Sequence, residues 1–527
     1  MILEGAEIPS GEVIETEICI IGAGAAGITM SLELTGAPFR VAVIEAGGFD
    51  YPEDGQPNYQ GTRSGIDYAD LDACRLRYFG GTTNHWGGYC RSLDSIDFEQ
   101  RDWIPHSGWP ITPDDIKPYY GRATELIQLS PGLFDGEHWS KLAGMPMLPF
   151  DPKRFYSGAT QIKSTHFGEV YRDAVKASPN VTCYLNCSVV DIVIGEHENL
   201  VRELMVVNAA GKRSTFRAKQ FVLACGGLEN PRMLLNANKV RPNGIGNDHD
   251  NVGRYFMEHR VSCPGMVLLS DGTADLSYYR RNTLPSGDYI EGSLHLSADT
   301  ARAERICNTQ FSMEHFDGIR TQGDQSLSKL RDGLKKLISG GGWMHGFEQH
   351  LGNIICDIDY VAANIARRVT GDKGNTSIWL LKAEVEQTPN PNSRVTLIDD
   401  VDSYGLRRIN LNWETSEIDR YSVVRSLDLM GEEMGRLGFG RVKIDMEDNP
   451  NAWSRFDSWG FHHAGTTRMS SDPRNGVVDG DCRVHGVGNL HVVGNSVFTT
   501  VGTSNPTFTI VSLSVRLASH LKGLLTA

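Results

Sequence analysis

Near the end of the 527-residue chain, the segment GFHHAGTTRM at 460–469 sets two histidines, His462 and His463, among small residues. A histidine with a pKa near ~6.5 is neutral at pH 7 and can accept a proton. Further on, NLHVVGNSVF at 489–498 reads as an apolar strand broken at Gly494 and Asn495. GTSNPT at 502–507 then leads into a helix over 508–521. Pro506 suits the first turn of that helix, where its missing N–H is not needed. The helix start faces whatever lies at Asn505 and favours negative charge on it. A proton acceptor and an anion-stabilising helix end thus fall in one stretch of chain.

A second chemical signal lies at the other end. Residues 17–35, EICIIGAGAAGITMSLELT, run from a buried apolar strand through GAGAAG into a helical pattern. RVAVIE at 40–45 follows as another strand, ending on Glu45. Gly22 makes the tight turn, Gly24 lets the backbone approach a pyrophosphate, and Gly27 lets the helix pack on the strand. The helix start offers N–H groups to phosphate. The Glu45 carboxylate suits both ribose hydroxyls and disfavours a 2′-phosphate, which argues against NADP. This unit binds a dinucleotide and does not separate NAD from FAD.

The elements that must position these residues follow from pattern. GGTTNHWGG at 80–88 is a glycine-dense loop with aromatic neighbours, fit to pack against a flat ligand. Residues 130–154 are rich in Pro and Gly and read as an irregular lid. FVLACGGLENPR at 221–232 reads as a further strand, turn and helix returning to the first sheet. Between about 260 and 450, short runs such as SIWLLKAEVE from 377 and RVTLID from 394 predict an antiparallel sheet domain. Inside it, Leu327, Leu330, Leu334 and Leu337 predict an amphipathic helix with a basic face, ended by three glycines at 340–342.

Composition bounds the rest. Hydrophobic residues are 40% and charged residues 22%, which fits a folded globular chain. The net charge of −14 repels phosphate backbones, so nucleic acid is not expected as a partner. No stretch reaches about eighteen apolar residues without a charge, so no transmembrane helix is expected. The acidic start, MILEGAEIPSGEVIETE, has no signal-peptide pattern. The ten cysteines are scattered, with no C-x-x-C and no haem-attachment motif. A cytoplasmic protein with reduced thiols is the expectation, with export beside a partner subunit left open, as is oligomerisation. No metal site is expected.

Taken in order, GAGAAG with Glu45, GGTTNHWGG, FVLACGGLENPR, VGRYFMEH at 252–259, H-x-x-G-T-x-R-M and NLHVVGNSVF with SNPT resemble the glucose–methanol–choline (GMC) family of FAD oxidoreductases. The motif style is most similar to pyranose oxidases and bacterial sugar dehydrogenases. The resemblance spans nearly the whole chain. It implies an α/β fold: a Rossmann-like FAD-binding domain, discontinuous in sequence, plus a substrate domain with an antiparallel β-sheet backed by helices. The expected division is 1–258 with 455–527 for FAD, including a lid-like excursion at about 100–180, and 259–454 for substrate.

The resemblance also implies roles. The histidine before x-x-G-T is the catalytic one, here His462, and the second catalytic position falls at Asn505. Gly22, Gly24, Ala25, Ala26 and Gly27, with Glu45 and Ala46, match the ADP-binding stretch, and Val189 offers its backbone to the adenine. Ala224, Gly494 and Asn495 match the pyrophosphate and ribityl neighbourhood; Asn505, Pro506 and Thr507 match the flavin pyrimidine edge. Gly81, Thr82, Asn84, His85 and Trp86 belong to the loop against the flavin. His85 aligns with a histidine that some pyranose oxidases bond covalently to FAD. Those enzymes have Thr where Asn84 stands, which argues against the bond here. His463 reads as structural or supporting, and Gln387 either faces the substrate pocket or holds the sheet domain.

The implied reaction is oxidation of a sugar, glycoside or polyol CH–OH group, with hydride passing to flavin N5 and the proton to His462. Oxygen, a quinone or a separate redox protein would reoxidise the flavin, as oxidase or dehydrogenase. The alternatives are an oxidase tailoring a natural product or glycoside, a non-redox lyase on the same fold, and a non-catalytic FAD subunit.

Overall fold

The computed structural model describes residues 1–195, 198–270, 275–315, 330, 378–446, 453 and 458–526. Strands Ile2–Glu4, Val181–Leu185, Val41–Ile44, Val13–Ile21 and Arg213–Leu223 lie side by side, all parallel. Val201–Asn208 and Cys187–Ile194 extend the sheet in antiparallel sense. Strand Leu490–Val492 pairs in parallel with the end of Arg213–Leu223, so the chain returns to this sheet after a long excursion. The parallel strands are Val- and Ile-rich because both their faces are covered. Val41–Ile44 is buried at every residue. Helix Ala25–Glu33 packs against the long C-terminal helix Thr507–Thr526.

Two glycines make the first turn possible. Gly22 has φ +99°, a left-handed conformation that side chains resist. A Cβ on Gly27 would lie 1.9 Å from the Gly22 carbonyl oxygen, so only glycine lets the helix close on the strand.

Among the described residues, the second sheet has nine strands, all paired antiparallel. Arg260–Leu269, Ile378–Val385, Thr309–His315, Tyr289–Leu296 and Phe155–Ile162 form its centre. Helix Glu417–Arg436 lies on it through Val423, Leu427, Met430 and Met434, spaced as one face of a helix. Ser416 and Asp419 close its start in a reciprocal capping box. Buried Arg101 ties the excursion to this sheet with a bidentate pair to Glu386, at 2.7 and 2.5 Å. Loss of either partner would strand a buried charge, at about 3–5 kcal/mol.

Two expectations differ from the structure, and a third falls outside the described residues. Strand Phe155–Ile162 lies inside the excursion assigned to the FAD half, yet it pairs with Tyr289–Leu296 in the antiparallel sheet. RVTLID, in strand Arg394–Val401, leaves that sheet and forms a separate one with Arg407–Trp413 and Gly61–Gly65. Alternation predicts a strand for RVTLID but does not name its partner, and strand Phe155–Ile162 was not expected. The helix predicted for residues 327–337 lies outside the described residues, apart from Leu330. Among the described residues, no helix is long and apolar enough to cross a membrane.

Candidate active site

A cavity of about 610 Å³ runs from the glycine turn of the parallel sheet to the face of the antiparallel sheet. At the first end it is lined by Gly22, Gly24, Ala25 and Ala26, where helix Ala25–Glu33 begins. A Cβ on Gly24 would meet no protein atom within 4 Å, so the missing side chain leaves space for a ligand in front of the helix N–H groups. Gly27 is not part of this wall; its hydrogen side is spent on contact with Gly22.

Glu45 ends its strand at the same wall. Its carboxylate accepts from Ala23 N at 2.7 Å and Gly47 N at 3.0 Å. Burial pushes its pKa up, opposed by those two backbone donors. Ala46 and Val189 line the cavity beside it, with Ala224 across the sheet. Arg77, which the sequence reading did not single out, also lines this end and donates to Ser188 Oγ at 2.7 Å.

The loop at 80–88 covers the middle of the cavity. Gly81, Thr82, His85 and Trp86 face it. His85 Nε2 is 2.7 Å from the Tyr78 hydroxyl, and Trp86 Nε1 donates to Thr165 O at 3.0 Å. Asn84 does not face the cavity. Its amide donates to Phe79 O at 2.8 Å and accepts from Gly168 N at 3.3 Å, which ties the turn to helix Phe167–Val170.

Across from this loop stand Gly494, Asn495, Asn505, Pro506 and Thr507. Pro506 O accepts from Ile510 N at 2.8 Å, so the helix begins at the cavity wall and its first N–H groups are unpaired within the helix.

His462 and Asn505 meet at the far end, with Asn505 Nδ2 3.2 Å from His462 Nε2. Gly460 leaves room for the ring, since a Cβ there would lie 2.6 Å from Nδ1. The other ring nitrogen, Nδ1, is 2.8 Å from His259 Nδ1. The Glu258 carboxylate accepts the backbone N–H of His462 at 2.8 Å and of His259 at 2.8 Å, and the Tyr68 hydroxyl donates to it. Burial, with His259 and His463 close by, pushes the His462 pKa well below the ordinary histidine value. Burial raises Glu258 to about 7.

His463 also reaches the cavity wall, its ring set against Tyr68 and Phe256 at 5.8 and 6.1 Å between centroids. Burial lowers its pKa to about 3, so it stays neutral. Gln387 does not line the cavity. Its Oε1 accepts from Glu258 N at 3.0 Å and Trp413 Nε1 at 2.9 Å, while Nε2 donates to Phe256 O and Glu414 O. All four bonds tie the segment at 256–258 to Trp413 and Glu414.

The antiparallel sheet contributes Tyr89, Val261, Lys382 and Glu384 to the cavity. Lys382 Nζ lies 3.7 Å from Glu291 and 3.6 Å from Glu384. The sequence reading missed this group. Its signal was two charges on alternate positions of an otherwise apolar strand, which places both on one face. Among the described residues, no cluster of three His, Cys, Asp or Glu side chains is placed to hold a metal.

Comparison with known proteins agrees with this geometry. Residues 17–244 match the family model "FAD dependent oxidoreductase", and residues 389–514 match "GMC oxidoreductase". The chain is 21% identical to 2-methyl-1,2-propanediol dehydrogenase of Mycolicibacterium austroafricanum, over 96% of this chain and 95% of that one. It is 27% identical to the fructose dehydrogenase large subunit of Gluconobacter japonicus, over 58% of this chain and 47% of that one. Its fold resembles the crystal structure of a pyridoxine 4-oxidase, with a TM-score of 0.53 at 18% identity, covering 96% of this chain and 98% of that one.

Proposed function

Because the chain belongs to the GMC oxidoreductases and is an FAD-dependent enzyme, we propose that it oxidises a CH–OH group of a sugar, glycoside or polyol to the carbonyl, with His462 as general base. The observation that carries this reading is the His462–Asn505 pair at the substrate end of the cavity.

The residues present fit FAD. The Gly24 gap and the start of helix Ala25–Glu33 would hold its pyrophosphate, and Glu45 its ribose. His85, Trp86 and the start of helix Thr507–Thr526 would flank its ring. Bound there, FAD supplies the hydride acceptor for the carbon. The protein must take the hydroxyl proton. His462, kept neutral by burial, takes it at Nε2, while Asn505 holds the same hydroxyl without competing for the proton. The start of helix Thr507–Thr526 would favour negative charge on a group held beside it.

The wall of Lys382 and Glu384, with Glu291 beside Lys382, supports a polyhydroxylated substrate. An ammonium between two carboxylates offers donors and acceptors that hydroxyl groups can satisfy. A simple alcohol would leave these groups unmatched, which weakens its binding. The kinship with a diol dehydrogenase and a fructose dehydrogenase subunit points the same way.

The test is an anaerobic screen of flavin bleaching over monosaccharides, glycosides, polyols and simple alcohols. Bleaching by polyhydroxylated compounds, with weaker response to simple alcohols, is expected. Failure of every sugar, glycoside and polyol would overturn the reading. Readmitting oxygen after reduction then separates oxidase from dehydrogenase.

A further inference from the structure

We infer that His259 is a positioning residue that holds His462 in the one neutral tautomer able to accept a proton from substrate. This rests on His462 being the base.

The argument starts from a carbonyl. His259 Nε2 lies 2.8 Å from Gly502 O. A carbonyl oxygen only accepts, so His259 Nε2 carries a hydrogen. His259 is 1% exposed, and burial lowers its pKa, so the ring is neutral. A neutral imidazole with hydrogen on Nε2 has a lone pair on Nδ1. That lone pair faces His462 Nδ1 at 2.8 Å. Two lone pairs at that distance repel, so His462 donates from Nδ1. In its neutral form its Nε2 is then bare and faces the cavity.

Asn505 agrees from the other side. Its Nδ2, a donor only, stands 3.2 Å from His462 Nε2 and needs a lone pair there. One fixed carbonyl therefore sets two successive rings. Free imidazole carries its hydrogen on either nitrogen, and the wrong choice at His462 would leave no acceptor for the hydroxyl proton. Glu258 supports the relay by holding the backbone N–H of both histidines, which fixes the distance between the rings. When His462 takes the proton at Nε2, Nδ1–H still donates to His259, so that contact is kept, while the Asn505 amide turns from Nε2 to the substrate oxygen.

The experiment uses the FAD-loaded enzyme and two variants, one with an acceptor in place of the ring and one without. In His259→Asn, the amide oxygen can stand where Nδ1 stood and accept from His462. In His259→Leu, nothing can. The first readout is independent of turnover: in deuterated enzyme labelled with ¹⁵N-histidine, long-range proton–nitrogen correlation shows which His462 nitrogen carries hydrogen, the signal being assigned by its loss in His462→Ala. Nδ1–H with bare Nε2 is expected in wild type and His259→Asn, and Nε2–H in His259→Leu. The second readout is the limiting rate of anaerobic flavin reduction. His259→Asn should stay within about tenfold of wild type, and His259→Leu should fall by about 10²–10³-fold, as for loss of a group that sets a catalytic tautomer. A ring that merely fills space would give equal rates or the reverse order, because Leu fills the volume of the ring at least as well as Asn. Hydrogen on His462 Nε2 in the wild-type resting enzyme, or equal reduction rates in the Leu and Asn variants, would overturn the inference. Full activity of His462→Ala would instead overturn the choice of base.

Discussion

His462 and Asn505 stand 3.2 Å apart, each held by a different part of the fold. His462 hangs from Glu258 and His259, at the edge of the antiparallel sheet. Asn505 sits at the start of the helix that packs on the dinucleotide unit, and its neighbour Ser504 donates to Ser92 O at 2.7 Å. These two side chains therefore meet only when the two sheets are docked, which places the proposed base and hydroxyl holder where both meet.

The ribose site gives the first prediction. Glu45→Arg removes the acceptor at the end of its strand and puts a cation where ribose hydroxyls should bond. It also strips Ala23 N and Gly47 N of their partner. The variant should purify with little FAD and a weakened affinity on reconstitution, read by flavin absorbance. Full retention of tightly held flavin would reject Glu45 as the ribose residue.

His85 gives the second. Its Nε2 is occupied by the Tyr78 hydroxyl, so FAD is expected to be held without a covalent bond. Acid precipitation of the holoenzyme should leave the yellow colour in the supernatant. Colour retained in the pellet, and released to the supernatant in His85→Ala, would show that the bond exists.

The third concerns pH. A histidine whose pKa is lowered is neutral over a wider range than free imidazole. The sequence alone placed the base near ~6.5, which gives a rate rising through neutrality. Burial moves that limb down, so the His462-controlled rate should be flat above about pH 6.5 and fall only in more acid solution. His259, His463 and Glu258 pack around His462, and Glu384 faces the same cavity. Of these, Glu258 is raised to about 7. A change in reduction rate near pH 7 should therefore vanish in Glu258→Gln, while the acid limb remains. A single limb at pH 6.5 or above, lost in His462→Ala, would contradict this.

The parts of the site legible in sequence were those fixed by local backbone geometry. GAGAAG is readable because Gly22 needs a positive φ and Gly27 a bare Cα, and both needs act within one turn. The helix after Pro506 is readable for a similar local reason. What was missed depends on strands meeting across the chain. Lys382 faces the cavity, and His259 stands behind His462, because Arg260–Leu269 pairs with Ile378–Val385, and no spacing encodes that pairing. Asn84 misled for the opposite reason: a polar residue in a Gly-rich loop looks ready for a ligand, yet its amide is spent on neighbouring backbone. Gln387, left open between pocket and support, takes the supporting place, bonded to backbone and to Trp413 Nε1.

The central claim is that His462 takes the hydroxyl proton. Removing a general base costs roughly 10²–10⁴-fold, or about 3–5 kcal/mol of barrier. Anaerobic stopped-flow flavin reduction of His462→Ala, His463→Ala and Asn505→Ala, with one good substrate at neutral pH, tests it most directly. The account predicts that His462→Ala keeps its FAD and slows by that factor. Asn505→Ala should slow less, and His463→Ala, whose ring packs between Tyr68 and Phe256, least of all. Reduction of His462→Ala at the wild-type rate, or a slower His463→Ala, would contradict the assignment of the base.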